Sequence, residues 1–146
     1  MNITYIHEPT DLQCGQAVLA MLLGKTAEEL CAYLDNTRET TLREMKRALT
    51  EHGIAFCPER KQAQSKSDLP RCAILSLETP RCWHWSLYCG GVFYDPSTAF
   101  LTTSPSVSAS IFGRFISRIN KKSRANPDGL ARCVLFCCNP LSSITS

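Results

Sequence analysis

The rhythm of apolar and polar residues along this chain changes near residue 53. Before that point the period is helical. The segment Cys-Gly-Gln-Ala-Val-Leu-Ala-Met-Leu-Leu, from Cys14 to Leu23, is apolar on nearly every side past Gln16. Its Ala, Leu and Met are strong helix formers, so it predicts a buried helix. Gly24 follows, a residue suited to the left-handed turn that closes a helix. Thr26 and Glu29 then stand at capping-box spacing and open a short second helix, with Leu30, Cys31 and Leu34 on one side. Thr41 and Glu44 repeat that grammar for a third. Leu42, Met45, Ala48 and Leu49 form its apolar face and Gly53 stops it.

After Gly53 the runs are short and rich in Ile, Val, Cys and aromatic residues, bounded by Pro, Gly or charge. Residues 54–57, 72–77, 83–89, 92–94 and 133–138 therefore read as strands. Gly90-Gly91 between two of them predicts a tight hairpin, because both positions of such a turn need positive φ. Residues 60–68 read as an exposed loop. Residues 108–120 carry Ile111, Phe112, Phe115, Ile116 and Ile119 at helical spacing, with Arg on the other side. Helices first and strands afterwards, without regular alternation, predict an α+β domain: N-terminal helices packed on a C-terminal antiparallel sheet.

Composition narrows the class. At 146 residues, 44% of them hydrophobic, the chain is long enough for one core and short for two, so a single domain over 1–146 is expected. The net charge of +3 is spread along the sequence, apart from a local run at Arg114, Arg118, Lys121, Lys122 and Arg124, and does not call for nucleic acid. No stretch approaches the ~20 apolar residues of a membrane span, and residues 1–9 do not resemble a signal peptide. A cytoplasmic protein is the default expectation. Nine cysteines suggest disulfides or zinc. The odd number, the missing export signal and the absence of any Cys-x-x-Cys pair argue instead for reduced thiols, with neither metal nor cofactor.

One thiol stands apart from the other eight. Cys14 opens a buried helix, where unpaired backbone N–H groups and the positive end of the helix dipole favour a thiolate. Gly15 beside it removes a side chain and is expected to let substrate approach the sulfur and the Cys14 N–H, a donor for an oxyanion. The plain alternative is one more buried cysteine. His84, between Trp83 and Trp85 in a predicted strand, is the candidate base, against the alternative of a hydrogen-bonded core histidine. With a Gly90-Gly91 turn, position 84 faces position 97, which makes Asp95 a diagonal neighbour able to accept the imidazole N–H. Asp95-Pro96 also fits an ordinary strand-ending turn.

These residues resemble papain-like cysteine peptidases, especially the bacteriocin-processing, double-glycine branch. The segment His7-Glu8-Pro9-Thr10-Asp11-Leu12-Gln13-Cys14-Gly15-Gln16-Ala17 and its apolar helix are similar to the nucleophile motif. His84-Trp85, the glycine turn and Asp95-Pro96 are similar to the closing signature. The likeness runs through most of residues 1–97 in order and spacing. It implies a papain-like fold, Cys14 as nucleophile, His84 as base and Asp95 as its orienting partner. It further implies attack on an amide carbonyl of a protein or peptide through an acyl-thioester. The sequence departs from the family at Glu8, where an oxyanion-hole Gln usually stands, and at Gln13, where Asp usually precedes the nucleophile. Gln13 is the expected second oxyanion donor, with His7 or a backbone N–H as the alternatives, or an altered peptidase activity.

The same chemistry serves a peptide bond, an isopeptide bond or a glutamine carboxamide. The alternatives are a protein glutamine deamidase of the kind bacterial pathogens deliver into host cells, by analogy, and a binding module of this fold that has lost catalysis. The resemblance leaves oligomeric state open.

Overall fold

The computed structural model describes residues 2–56, 61–62, 66–78, 83–97, 101–102 and 132–140. The expected helix at 108–120 and the last six residues lie outside them.

Three helices come first, as their caps dictate. Helix α1 (Cys14–Leu23) closes at Gly24 in the left-handed conformation, with φ of 65°. Helices α2 (Ala27–Leu34) and α3 (Leu42–Glu51) both begin with complete capping boxes, Thr26 with Glu29 and Thr41 with Glu44. Each box satisfies two N–H groups that the helix start would otherwise orphan, and losing such a cap costs about 1 kcal/mol. Asp35 ends α2 at φ of 51°, a conformation that its short polar side chain tolerates. No helix among the described residues is long and apolar enough to cross a membrane.

The strands are β1 (Ile54–Phe56), β2 (Lys61–Gln62), β3 (Cys72–Glu78), β4 (Trp83–Cys89), β5 (Val92–Tyr94), β6 (Leu101–Thr102) and β7 (Arg132–Pro140). They form one antiparallel sheet in the order β1-β7-β3-β4-β5-β6, with β2 also pairing β7. The stretch expected as an exposed loop at 60–68 thus contains a short strand, and a 3-10 turn at Lys66–Asp68 follows it. Two residues of ladder leave no periodicity in a sequence, so nothing local announces β2.

The β4–β5 hairpin turns at Gly90 (φ of 59°) and Gly91 (φ of 91°) and pairs Leu87 with Tyr94. Alternation along the strands then sorts side chains by face. Cys72, Ile74, Trp85, Leu87, Cys89 and Tyr94 join the core that α1, α2 and α3 build from Val18, Leu19, Leu30, Met45, Leu49 and their neighbours. Tyr88 and Phe93, cross-strand partners off that face, pack their rings at a tilt of 50° with centroids 4.8 Å apart.

The loop between α2 and α3 is drawn tightly onto α1 and β4. The fully buried Gln16 donates from Nε2 to Asn36 O (3.0 Å) and Arg38 O (2.7 Å), and Trp85 Nε1 donates to Thr40 O (2.8 Å). Gly15 allows this closeness. A Cβ there would sit 2.4 Å from Thr40 Cβ and 3.1 Å from Trp85 Cδ1. The glycine expected to open a path for substrate instead makes room for a loop.

Candidate active site

The helix and the hairpin meet at one point. The β4–β5 pairing ends at Leu87 opposite Tyr94, so the β4 backbone nearer residue 83 is freed from β5. There the Trp85 N–H donates to Sγ of Cys14 at 3.4 Å. This bond seats the first residue of α1 against the edge of β4. Cys14 is buried, with 3% of its surface exposed.

His84 stands beside it. Its Nε2 lies 3.1 Å from Oδ1 of Asp95, and its ring also hydrogen-bonds the Cys14 side chain. With Nε2 committed to the carboxylate, Nδ1 is the ring nitrogen left for sulfur. Burial alone lowers the basicity of His84. The hydrogen bonds to Asp95 and Cys14, and the charges of both, outweigh it and raise the pKa from 6.5 to about 10.

Asp95 is held in turn. Burial raises its pKa, but the His84 hydrogen bond and charge, with two hydrogen bonds from Ser97, bring it below the ordinary 3.8. Ser97 N donates to Oδ1 at 3.0 Å and Ser97 Oγ at 2.8 Å. An Asp followed two residues later by Ser is the pattern of a turn closed by an aspartate side chain. That signal would have revealed Ser97. Ser86 Oγ lies 3.4 Å from His84 Nε2 on the same face of β4.

The N-terminal segment straps this turn from outside. Tyr5 Oη donates to Asp95 O (3.1 Å) and lies 3.4 Å from Pro96 O, and Glu8 N donates to Pro96 O at 3.1 Å. Ile3, Tyr5 and Ile6 pack against the core beneath. No sequence pattern announced this role of Tyr5, because the main-chain atoms it holds are some ninety residues away.

The Gln13 side chain turns to the α2–α3 loop, where Nε2 donates to Thr37 O at 3.1 Å. Glu8 is the residue beside the pair, buried and acted on by the charges of both His84 and Asp95. Burial raises its pKa; Asp95 and Asp11 add to the rise, while His84 and His7 oppose it.

His84 thus bridges Cys14 and Asp95, and a sulfur served by an imidazole that a carboxylate orients can form a covalent adduct at a carbonyl carbon. No family model and no curated protein matches the sequence. Among solved structures, the peptidase domain of Streptococcus ComA, a bi-functional ABC transporter involved in a quorum-sensing pathway, is similar with a TM-score of 0.54 and 16% identity. The match covers 95% of this chain and 99% of that domain. The chain has the fold of a papain-like peptidase domain, the α+β architecture expected from its sequence.

Proposed function

We propose that this protein is a cysteine peptidase in which Cys14 is the nucleophile, His84 the general base and acid, and Asp95 the group that orients and charges the imidazole. One observation carries the reading: His84 joins Asp95 Oδ1 at 3.1 Å through Nε2 and also bonds the Cys14 side chain. The peptidase-domain fold supports it.

The reaction begins with Cys14 as thiolate and His84 as imidazolium. Sulfur attacks the amide carbonyl carbon of a protein or peptide, a C–S bond forms, and the carbonyl π pair moves to oxygen, where the Cys14 N–H at the start of α1 donates to it. His84 gives its proton to the departing nitrogen as the C–N bond breaks, leaving an acyl-thioester. Water, deprotonated by His84, then attacks the thioester and releases the acid and the Cys14 sulfur. Asp95 keeps Nε2–H in place throughout and stays ionised.

The test is incubation of candidate proteins with the wild type and with Cys14→Ala, read by intact mass. Cys14-dependent fragments are expected. A mass gain matching amide-to-acid conversion, without fragments, would move the reaction to a glutamine side chain. No Cys14-dependent change on any candidate would overturn the hydrolase reading.

A further inference from the structure

Two thiols stand opposite each other at one end of the β3–β4 ladder. Cys72 opens β3, Cys89 closes β4, and the register pairs them directly. Just beyond them the Gly90 N–H donates to Arg71 O at 2.8 Å. That bond makes Arg71 and Gly90 a hydrogen-bonded pair. The two kinds of pair alternate along an antiparallel ladder, so Cys72 and Cys89 form a non-hydrogen-bonded pair. Partners of that kind have Cα atoms about 4.5 Å apart, with their side chains closer than in the hydrogen-bonded kind. A disulfide spans Cα separations of roughly 4.4–6.8 Å.

Two further observations bring the sulfurs together. Both side chains lie on the face that joins the core, in step with Ile74 on β3 and Leu87 on β4. Burial raises the pKa of Tyr94 on that face, and the charges of Cys89 and Cys72 raise it further, so one phenol lies within electrostatic reach of both. The two cysteines are thiols in this structure. They are buried, at 8% and 9% exposure, yet they sit at the rim, since Arg71 beside one and Gly90 beside the other are exposed. Cys14 and Cys31, the other thiols among the described side chains, lie on α1 and α2. The cysteines of β7 approach β3 along its other edge, Cys137 opposite Ala73.

We infer that Cys72 and Cys89 are a modification site, a dithiol that closes into a cross-strand disulfide by exchange with a low-molecular-weight disulfide such as glutathione disulfide. The thiolate of one cysteine attacks a glutathione sulfur: a protein–glutathione S–S bond forms, the glutathione S–S bond breaks, and one glutathione leaves as thiolate. The other cysteine then attacks the protein sulfur of that mixed disulfide and expels the second glutathione. Two protein thiols are oxidised, glutathione disulfide is reduced to two thiols, and the two protein protons pass to them. The new bond closes the loop of residues 72–89 and ties β4 to β3 without help from β7. His84, paired with Leu77, stands five residues away along β4, so the staple holds the strand of the candidate base from its far end. The inference is independent of which bond Cys14 attacks.

The test equilibrates the wild-type chain in glutathione buffers of increasing disulfide content. Samples are quenched with acid, blocked with N-ethylmaleimide and digested for peptide mapping. The expected product is a peptide pair linked through Cys72 and Cys89, lighter by two hydrogens than the two reduced peptides together. A fold that already holds the partners in place favours closure, so the folded chain is expected to reach half closure in a buffer at least about tenfold less oxidising than the same chain in urea. Cys72→Ser and Cys89→Ser each abolish the linked pair without passing the bond to a third cysteine. A wild-type bond from Cys72 to a cysteine of β7 overturns the inference. So does the absence of any link in glutathione disulfide alone, or the same half-closure point for the folded chain and the chain in urea.

Discussion

His84 Nε2 and Asp95 Oδ1 lie 3.1 Å apart, and the same Oδ1 also receives the N–H and the hydroxyl of Ser97. Three donors on one oxygen keep the carboxylate ionised and leave it little freedom to turn. The imidazole inherits that rigidity.

Asp95→Asn therefore acts on charge more than on position, because an amide oxygen can accept the same bonds. The alkaline limb of the pH–activity profile for amide hydrolysis, where His84 can no longer give its proton to the departing nitrogen, is expected near pH 10 and moves toward neutrality. Asp95→Ala removes orientation as well and lowers the hydrolysis rate further at every pH. Identical profiles for wild type and Asp95→Asn would contradict the role given to the carboxylate.

The charge on His84 also serves the sulfur. In His84→Ala, selective alkylation of Cys14 over the other cysteines at mildly acidic pH is expected to drop by at least about tenfold, since a neighbouring cation favours the reactive thiolate. Peptide mapping after brief labelling measures it.

Gly15→Ala drives a methyl group to within 2.4 Å of Thr40 Cβ. Overpacking of this kind costs about 1–3 kcal/mol, visible as a lower denaturant midpoint. The double variant Gly15→Ala/Thr40→Gly relieves the contact and recovers part of the loss. Simple additivity of the two changes would show that Thr40 is not the obstacle.

Stability should follow the same ionisations. His84 is raised from 6.5 to about 10, so its contribution is fully present below pH 6.5 and is lost as pH climbs through about 10. Asp95 is lowered from 3.8, so its contribution is present above pH 3.8 and fades as pH falls through the lower folded value. Glu8, raised like His84, adds a contribution that is fully present below 4.5 and is lost as pH rises through its raised folded value. Thermal midpoints across pH should show a plateau in mildly acidic solution and a decline toward pH 10 that is shallower in His84→Ala.

Local chemistry made part of this molecule legible. Thr26 with Glu29 and Thr41 with Glu44 announce helix starts because both halves of each box lie within one turn. Gly90-Gly91 fixes the hairpin register by geometry alone, which brings Asp95 within reach of His84. Cys14 drew notice through its place at a helix start. What escaped notice depends on distant partners. Residues 133–138 read as a strand, but only packing decides that β7 runs between β1 and β3. Gly15 read as an opening because Thr40, which fills the space, is twenty-five positions away and belongs to a loop. The Gln13 amide could not be aimed from sequence, since Thr37 becomes its partner only after that loop folds back.

The place of β7 sets the order in which this protein comes into being. Its neighbours β1 and β3 are synthesised early, yet the ladder that joins them waits for residues 132–140. A ribosome-bound chain that has already emitted Cys14, His84 and Asp95 still has a split sheet, so the framework that carries these side chains closes only when β7 slides home. Proteolytic removal of β7 would undo it by the same route, reopening the sheet without touching Cys14, His84 or Asp95.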